Sequence, residues 1–518
     1  MTIACDGCRR RKVRCNAQQP CNRCQSAGIA CRTTSVRRKK GRQGATATVL
    51  HELRQAPVTT EPAPISSPQI DPGSHHFIRR PELLGPTVVQ SCADYFFARM
   101  LGTVPILSPA TFQSHVDRLD RCLHSYCLVS AFCAFVLTQT GYTSWHDPEM
   151  PTPALGKSLL DEALAARRHL DPFGAPTRHG ITIAFLLYGC QIGMGNQRQA
   201  YYFLREATTL YTAGMLDQAD AGVEDNAGNL FWLLLISERA HAIRRHRPIT
   251  LQITPDSPVL DDTQTDPFSV GFRCLADLYR PFDQSFLSRW NGTDQCSSRE
   301  LLIRLEEHLQ QAVPADLDLP DILAADLRVS QQWLRTMIWQ LATSAGFLSS
   351  TPSHPCLGFV YPLQIARDLA MATWKLSKES METHGVGLVE KIFEITCTLT
   401  DVMACMSPAG LRSSSFDLGP QDYLKHFCTL IHGLPGGEKK FLPLLLAKIS
   451  QTLPSMLASV TRHLGLPMQD QVVSPEMDIG SPIGLRDDWY KAFNWAEMSR
   501  IGDKTPELER NVQFDPGA

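Results

Sequence analysis

Apolar side chains recur every three or four residues along most of this 518-residue chain. Clear examples are YYFLREATTLYTAGM at 201–215 and LFWLLLISERAHAI at 230–243. Strand-like alternation is scarce, while Pro and Gly separate segments of helical length. The pattern therefore predicts a large all-α domain over residues 88–466, built from roughly a dozen or more helices.

The most continuous apolar stretch is YCLVSAFCAFVLTQTG at 126–141. It is shorter than a membrane-spanning helix and contains Ser, Thr and Gln, so we interpret it as a buried core helix. The N-terminal MTIACDGCRRRK lacks the apolar segment of a signal peptide. We therefore expect no membrane partner, and we expect the seventeen cysteines of the chain to stay reduced.

Residues 36–87 lack the helical pattern of the large domain. They predict a basic arm, a short helix at 45–56 and a Pro-rich flexible linker. The short helix offers little more than one heptad, whereas a stable coiled coil needs about three or four. Monomeric binding and a homodimer formed through the large domain therefore both stay open.

Charge is distributed unevenly along the chain. Residues 1–44 contain twelve Arg and Lys residues and a single acid, Asp6, whereas the whole chain has a formal net charge of −2. The remaining residues therefore carry a net charge of −13. A basic head on an acidic body indicates a polyanionic partner for the head alone.

Six cysteines lie in this basic head, as two C-x2-C-x6-C repeats joined by a five-residue loop: Cys5, Cys8, Cys15, Cys21, Cys24 and Cys31. Thiolates are good ligands for zinc in closed, tetrahedral structural sites. Two zinc ions need eight ligand positions, which six thiolates supply if two of them bridge both ions. The symmetry of the repeat makes Cys5 and Cys21 the expected bridges. We predict a cofactor of two zinc ions per chain, whose binding supplies the folding energy of this segment.

This spacing, with CRRRKVRC at 8–15 and Pro20 just before the second half, resembles the fungal binuclear zinc cluster (Zn2Cys6) of transcription regulators. The resemblance implies a DNA-binding domain over residues 1–35. It also implies a short helix at about 6–12, whose C-terminal end enters the major groove of double-stranded DNA at CGG-like half-sites. A nuclear location follows from the same resemblance.

The resemblance aligns Lys12 with the residue that reads the CGG-type triplet, and Arg11 lies beside it. Lys and Arg are also the usual donors to N7 and O6 of guanine. Other basic residues of the cluster are better placed for phosphates: Arg9, Arg10, Arg14 and Arg23. The basic arm is interpreted as a nuclear localisation signal, a DNA-tracking arm or both: Arg37, Arg38, Lys39, Lys40 and Arg42.

Residues 94–112, 181–217 and 229–251 resemble the fungal-specific transcription factor domain. This second resemblance implies a regulatory domain that restrains or permits activation, sometimes in response to a small-molecule effector. The family usually has Gly before the Arg-Pro step at 247–248, where this chain has His246. Charged residues inside these segments are expected to form internal ion pairs: Arg205, Glu206, Glu238 and Arg239.

The C-terminal tail, residues 467–518, is acidic. Its stretch LRDDWYKAFNWAEM at 485–498 mixes acidic residues with bulky aromatic ones. This composition is typical of a short activation segment that binds transcription coactivators. A last amphipathic helix that docks on the large domain is the equally weighted alternative.

These features predict a small binuclear zinc-cluster DNA-binding domain joined by a flexible linker to a large all-α regulatory domain. We expect a sequence-specific regulator of RNA polymerase II transcription and not an enzyme, because GMGNQR and GLPGGEKK lack the spacing of nucleotide-binding loops. The compact cluster and short linker favour an activator of a secondary-metabolite gene cluster. Regulation of sugar-utilisation genes is the alternative, beside a non-activating repressor and, in another class, a zinc-knuckle enzyme or metabolite-binding protein.

Overall fold

The computed structural model describes residues 4–5, 8, 13–28, 31, 77–140, 152–171, 176–215, 227–294, 298–314, 317–406 and 418–466. The chain divides into two compact units, Met1–His75 and His76–Ala518, and each is described by itself. The predicted short helix at 45–56, most of the linker and the acidic tail lie outside the described residues.

The described part of the N-terminal unit includes the short helix α1 (Asn22–Gln25), and Cys8 is helical as well. The described part of the second unit is helical, as the apolar spacing predicts. Its α-helices are α2 (Pro86–Tyr95), α3 (Pro109–Val116), α4 (Leu123–Thr140), α5 (Thr152–Arg167), α6 (Arg178–Met194), α7 (Gln197–Met215), α8 (Ala227–Arg245), α9 (Pro267–Tyr279), α10 (Gln284–Trp290), α11 (Arg299–Ala312), α12 (Asp321–Ser344), α13 (Tyr361–Thr373), α14 (Lys378–Glu382), α15 (Gly385–Ala404), α16 (Pro420–Gly433), α17 (Gly437–Lys440), α18 (Leu442–Thr452) and α19 (Pro454–His463).

Short polar side chains fix where several of these helices begin, by accepting hydrogen bonds from backbone N–H groups of the first turn. The capping residues are Ser108, Thr177, Asp266, Asp283 and Ser298. A π-helical turn, Phe96–Met100, continues α2, and 3-10 turns lie at Pro81–Leu84 and Pro355–Leu357.

The helical unit begins earlier than the sequence predicts. Residues 77–87 were expected to belong to the linker, but Leu83 and Leu84 are buried in the core. The Arg80 guanidinium donates to Glu162 on α5 at 2.7 Å, and Phe77 contacts the ring of Tyr126 on α4. Since the Pro-rich composition gives no periodic signal, only these tertiary contacts reveal that the segment is part of the unit.

Helix α4 contains the apolar stretch that was interpreted as a core helix. Among the described residues it is the one helix long and apolar enough to cross a membrane by length and composition, and 83% of it is buried inside the protein. It packs against α5 and α6. The side chains of α4 are apolar on every face. Such a helix must have neighbours on all sides, as this one does.

The helical unit is built from two groups of helices. Helices α4 to α7 pack together in the first group, and α12, α13, α15 and α16 pack together in the second. Helices α8 and α9 connect them, because α8 contacts α7 and α9 contacts α12. Helix α15 also contacts α4 and α6. The middle of the unit is therefore a junction between the two groups.

A buried guanidinium holds part of the second group together. Arg335 on α12 donates to Glu306 on α11 at 2.7 Å and to Asp368 on α13 at 3.0 Å. Its Nη2 also donates to the Tyr361 hydroxyl at 2.7 Å. The Arg335 and Glu306 side chains are almost fully buried. Each charge therefore needs the other, because water is excluded from both.

The charged residues of α7 and α8 are only partly paired as predicted. Arg205 donates to Glu238 at 3.0 Å, and Glu206 pairs with Arg167. Arg239 instead donates to two backbone carbonyls, those of Tyr279 at 2.8 Å and Arg280 at 2.6 Å. The expectation of an ion pair is therefore wrong for Arg239. Its guanidinium instead binds carbonyl oxygens at the C-terminal end of α9, which have no partner within the helix.

His246 ends α8 in a left-handed backbone conformation, with φ of +51°. Its ring stacks on Trp290 with a centroid separation of 5.6 Å, and its Nδ1 lies 2.9 Å from Asn291 Oδ1. A residue after a helix commonly adopts this conformation, and Gly adopts it without strain. The geometry explains why the resembling family places Gly at this position.

Candidate metal centre and nucleic-acid interface

The six N-terminal cysteines come together in the structure. Their sulfur atoms form two sets of four, and within each set all sulfurs lie within 4.8 Å of one another. The first set is Cys5, Cys8, Cys15 and Cys21, and the second is Cys5, Cys21, Cys24 and Cys31. The two sets share Cys5 and Cys21, the two residues at which the repeat symmetry places the bridges.

The spacing of the sulfur atoms fits tetrahedral zinc. A Zn–S bond of about 2.3 Å gives a tetrahedron with edges of about 3.8 Å. The Cys5 and Cys21 sulfurs are 3.6 Å apart, Cys8 and Cys21 are 3.5 Å apart, and Cys15 and Cys5 are 3.9 Å apart. The residues present therefore fit two zinc ions that share two thiolates.

Local backbone geometry positions the second half of the cluster. Cys21 precedes α1, and its sulfur accepts a hydrogen bond from the Cys24 N–H at 3.4 Å. The Cys21 N–H donates in turn to the Cys31 sulfur at 3.3 Å. The peptide bond before Pro20 is cis. Backbone donors of this kind orient metal-binding thiolates and partly neutralise their charge.

Burial makes two of the crowded thiols, Cys8 and Cys24, hard to ionise without a cation, whereas hydrogen bonds from backbone N–H groups help to lower the pKa of the shared Cys5 and Cys21. Burial raises the pKa of Cys8 to about 12, and it also raises the pKa of Cys24, where neighbouring sulfurs add to the effect. Both side chains are fully buried. Because zinc binds the thiolate form, metal binding must displace these protons, and the donor set is chemically suited to a dication.

The cluster is also the core of its unit. The buried apolar contacts in the described part of this unit are those of four cysteines: Cys5, Cys8, Cys21 and Cys24. A cluster of four such residues buries far too little apolar surface to fold a chain of this length. Metal coordination is therefore the source of folding energy that this unit requires.

Two of the six basic residues that were predicted to contact DNA lie in the described part of the unit. Arg14 and Arg23 are both solvent-exposed beside the cysteine cluster. The others lie outside the described residues: Arg9, Arg10, Arg11 and Lys12. The basic arm does too, with Arg37, Arg38, Lys39, Lys40 and Arg42.

The sequence profile of the fungal Zn(2)-Cys(6) binuclear cluster domain matches residues 3–41. This chain contains a fungal Zn(2)-Cys(6) binuclear cluster domain. Its cofactor is accordingly two zinc ions. Their role is structural, because bonds to the cysteine sulfurs cross-link the chain. The match covers every one of the six cysteines and extends through the first residues of the basic arm.

Proteins similar to this chain have names that refer to sugar use or to transcription. The probable sucrose utilization protein SUC1 of Candida albicans is 23% identical over 412 residues, which cover 77% of this chain and 79% of that protein. The maltose fermentation regulatory protein MAL13 of Saccharomyces cerevisiae is 22% identical and covers 91% of this chain and 98% of that protein. The respiratory transcription factor ZNF1 of the same yeast is 25% identical over 48% of this chain and 55% of its own length.

A second candidate site lies in the helical unit. The sequence alone did not identify any residue of this unit that could contact a ligand. A cavity of about 180 Å³ lies at the junction of the two helix groups. Its walls include Phe135 on α4, Tyr188 on α6, Tyr279 on α9 and Lys391 on α15. The sequence does show charged residues within apolar helices, such as Lys391. Their spacing along the chain does not show which of these charged side chains lie close together in the fold.

Proposed function

We propose that this protein is a nuclear, sequence-specific DNA-binding regulator of RNA polymerase II transcription that controls genes for sugar utilisation. The observation that carries the proposal is the pair of four-sulfur sets that share Cys5 and Cys21, in a domain matched by the zinc-cluster profile. The sugar assignment is supported by relatives named for sucrose utilisation and maltose fermentation.

For the target genes we adopt the alternative, sugar utilisation, instead of the secondary-metabolite gene cluster that the sequence alone favours. Compactness and linker length favoured a secondary-metabolite gene cluster, but both are weak signals that other regulators share. The relatives named for sugar use extend over 77% and 91% of this chain, well beyond the zinc cluster. Similarity across the helical unit supports a shared type of regulation.

Each predicted residue has a defined part in the proposed interface. Lys12 donates to guanine N7 and O6 in a CGG-like half-site, with Arg11 beside it. Residues better placed for the DNA backbone contact phosphates: Arg9, Arg10, Arg14 and Arg23. The arm over 37–42 tracks phosphates or directs nuclear import, and the acidic tail binds coactivators.

Binding measurements with two variants test the DNA-contact assignments. Lys12→Ala should reduce discrimination at one base position by about 1–3 kcal/mol, because it removes a base contact. Arg23→Ala should weaken binding evenly across sequences and reduce the salt slope by about 1, because it removes a phosphate contact. Zinc content should stay at two ions per chain in both variants. Unchanged base preference in Lys12→Ala would contradict its assignment.

Genome-wide occupancy together with transcript changes on deletion tests the target genes. We expect bound promoters to carry CGG-like half-sites and to include genes for sugar uptake or hydrolysis, whose induction on sucrose or maltose is lost in the deletion strain. A response confined to one biosynthetic gene cluster would instead support the secondary-metabolite interpretation. Increased expression of bound genes on deletion would identify a repressor.

A further inference from the structure

Three large apolar side chains are exposed on one side of α13. Val360 just before the helix is 59% exposed, Met371 in its last turn is 50% exposed, and Trp374 just after it is 41% exposed. Steps of eleven and three residues return to about the same side of an α-helix, so these side chains share a surface, which we call the α13 face. Apolar side chains that share a surface indicate a binding site, whereas single scattered ones do not.

The α13 face lies close to the point where the described chain ends. The Trp374 ring packs on His426 of α16, with a centroid separation of 4.7 Å. One turn further along α16, the Thr429 hydroxyl lies 3.1 Å from Nε2 of His463, the last residue of α19. Leu466, the last described residue, follows three positions later. The C-terminal tail therefore leaves the helical unit beside α16, the helix that packs against α13.

Charge also matches the tail to this part of the unit. Residues 418–466, which include α16 and α19, contain five Lys and Arg residues and two acids, whereas residues 467–518 contain ten acids and five basic residues. Lys375, at the end of the α13 face, is exposed and pairs with no carboxylate among the described residues. The other exposed basic residues of this region, Arg367 and Lys378, already pair with acids. The Lys375 ammonium is therefore available to an acidic segment.

One stretch of the tail combines aromatic and acidic side chains. LRDDWYKAFNWAEM at 485–498 contains four aromatic residues and three acids. The eighteen residues between Leu466 and this stretch can extend over at most about 60 Å, which is ample for a surface beside α16. We propose that the α13 face is the docking site for residues 485–498 of the same chain. Aromatic rings of this stretch pack on Met371 and Trp374, and one of its acids pairs with Lys375.

The size of the α13 face favours a segment of the same chain over a separate partner. Three partly exposed side chains offer less than about 400 Å² of surface, whereas a stable protein–protein interface buries about 800 Å² on each partner. A tethered segment needs less contact, because its connection holds it at a roughly millimolar effective concentration. A second copy of this chain would gain no such advantage.

Docking would regulate what the tail can bind. Coactivator grooves take up the apolar side chains of the segments that they bind, and rings that pack on the α13 face are not free to enter them. The two partners therefore compete, and release of the stretch from α13 exposes it to coactivators. This consequence rests on the proposed role of the tail in coactivator binding, whereas the docking itself does not.

Photo-cross-linking in the full zinc-loaded chain tests the docking. A benzophenone amino acid replaces Met371 in one sample and Tyr202 in the control, since Tyr202 on α7 is 60% exposed. Isotope-labelled and unlabelled chains are mixed, so that mass spectrometry separates links within a chain from links between chains. Met371→benzoylphenylalanine should link to peptides within 485–498 of its own chain. Tyr202→benzoylphenylalanine should not give this product, because α7 belongs to the other group of helices.

Variants of the tail test the aromatic contacts. One variant combines Trp489→Ser, Phe493→Ser and Trp495→Ser. It should lose the link from position 371, because the rings that pack on the α13 face are gone. Phe514→Ser removes an aromatic ring outside the stretch and should retain the link.

A charge variant tests the proposed ion pair. Lys375→Glu should reduce the yield of the link by about two- to fivefold at low salt, because one exposed ion pair is lost. The reduction should be smaller at high salt, where exposed charges are screened. Lys157→Glu makes the same change of charge at an exposed position of α5, in the first group of helices, and should leave the yield unchanged.

The possible products separate the occupants of the α13 face. A link from position 371 to residues 407–417, a link to a second copy of the chain, no link within 485–498, or an unchanged link in the triple tail variant would each overturn the docking. Circular dichroism confirms that each variant is folded, and the exposed position of Met371 allows the replacement.

DNA binding and reporter output of the same variants separate this inference from the proposed function. If the link is absent while DNA binding persists, the regulator proposal stands and the docking fails. If the link forms but its loss in the Lys375→Glu variant does not raise reporter output, the docking stands and the coactivator role of the tail fails.

Discussion

His246 occupies a backbone position that is unfavourable for any residue with a side chain. Its φ of +51° lies in the region where Gly is the usual residue after a helix. The imidazole offsets this strain by stacking on Trp290 and by its hydrogen bond with Asn291. The sequence identified the departure from Gly, but the compensating contacts come from α10 and the residue after it, some 45 positions along the chain.

Two substitutions at His246 separate the backbone strain from the side-chain contacts. His246→Ala should destabilise the helical unit by about 1–2 kcal/mol, because it keeps the strained backbone and loses the stacking and the hydrogen bond. His246→Gly should be more stable than His246→Ala by about 1 kcal/mol, because Gly adopts positive φ freely. Urea unfolding measures both values. Equal stability of the two variants would show that this turn relaxes to another conformation.

His241 makes stability depend on pH. Its pKa is lowered to about 3, mainly by burial and also by Arg244 and Arg245 nearby, while Glu390 partly opposes this shift. The unfolded chain therefore binds a proton between about pH 6.5 and 3 that the folded chain does not, so stability falls as pH decreases through this range. Between pH 7 and 5, the unfolding free energy should fall by about 2 kcal/mol more in wild type than in His241→Phe.

The aromatic replacement is chosen because His241 stacks on Tyr201 at 5.5 Å, and Phe retains a ring there without a titratable group. Other buried histidines also titrate, since burial lowers the pKa of His115 and His426 to about 4. Only the difference between the two proteins is therefore assigned to His241. Parallel stability curves for wild type and variant would contradict the assignment.

At the scale of elements, one buried guanidinium, that of Arg335, links α12 to both α11 and α13. Arg335→Met should destabilise the unit by about 3–5 kcal/mol, because it leaves the carboxylate of Glu306 buried without its partner. The matched control is Arg367→Met on α13, whose side chain is 60% exposed and whose pairing should contribute at most about 1 kcal/mol.

A double variant checks the physical reason. Arg335→Met combined with Glu306→Gln should recover part of the lost stability, because the buried charge is removed together with its partner. Chemical unfolding followed by circular dichroism provides the comparison. If the double variant is as unstable as the sum of the two single variants, the loss comes from packing rather than from the unpaired carboxylate.

Helices were predictable where their signal is local. Apolar spacing of three and four identifies α7 and α8, and continuous apolarity identifies α4 as a core helix. The segment at 77–87 was missed because its order depends on long-range partners such as Glu162. Arg239 was misassigned for the same reason, since the carbonyls that it contacts lie forty positions away.

At the scale of the whole molecule, the two units have different sources of stability. The described part of the N-terminal unit has a core of cysteine sulfurs, whereas the helical unit has an extended apolar core. The cysteine cluster was predictable, because ligand spacing within thirty residues determines which sulfurs meet. The cavity was not, because its walls come from helices spread over 100–391.

Zinc removal should therefore affect the units unequally. A strong chelator should abolish DNA binding while the far-ultraviolet circular dichroism changes only slightly, because nearly all described helix lies outside the cysteine-rich unit. Addition of two equivalents of zinc should restore DNA binding. Cooperative loss of most helical signal on chelation would contradict independent stabilisation, and Arg335→Met protein, with its weakened helical unit, should keep its zinc.

The packing of α4 also has a consequence during synthesis. This helix leaves the ribosome long before α15, which helps to cover it and ends at Ala404. At roughly 5–20 residues per second, translation of the intervening chain takes tens of seconds. For that time an eighteen-residue apolar segment is only partly enclosed by its nearest neighbours in sequence. The nascent polypeptide is therefore exposed to aggregation before its C-terminal half exists, and chaperone supply should limit how much functional protein a cell accumulates.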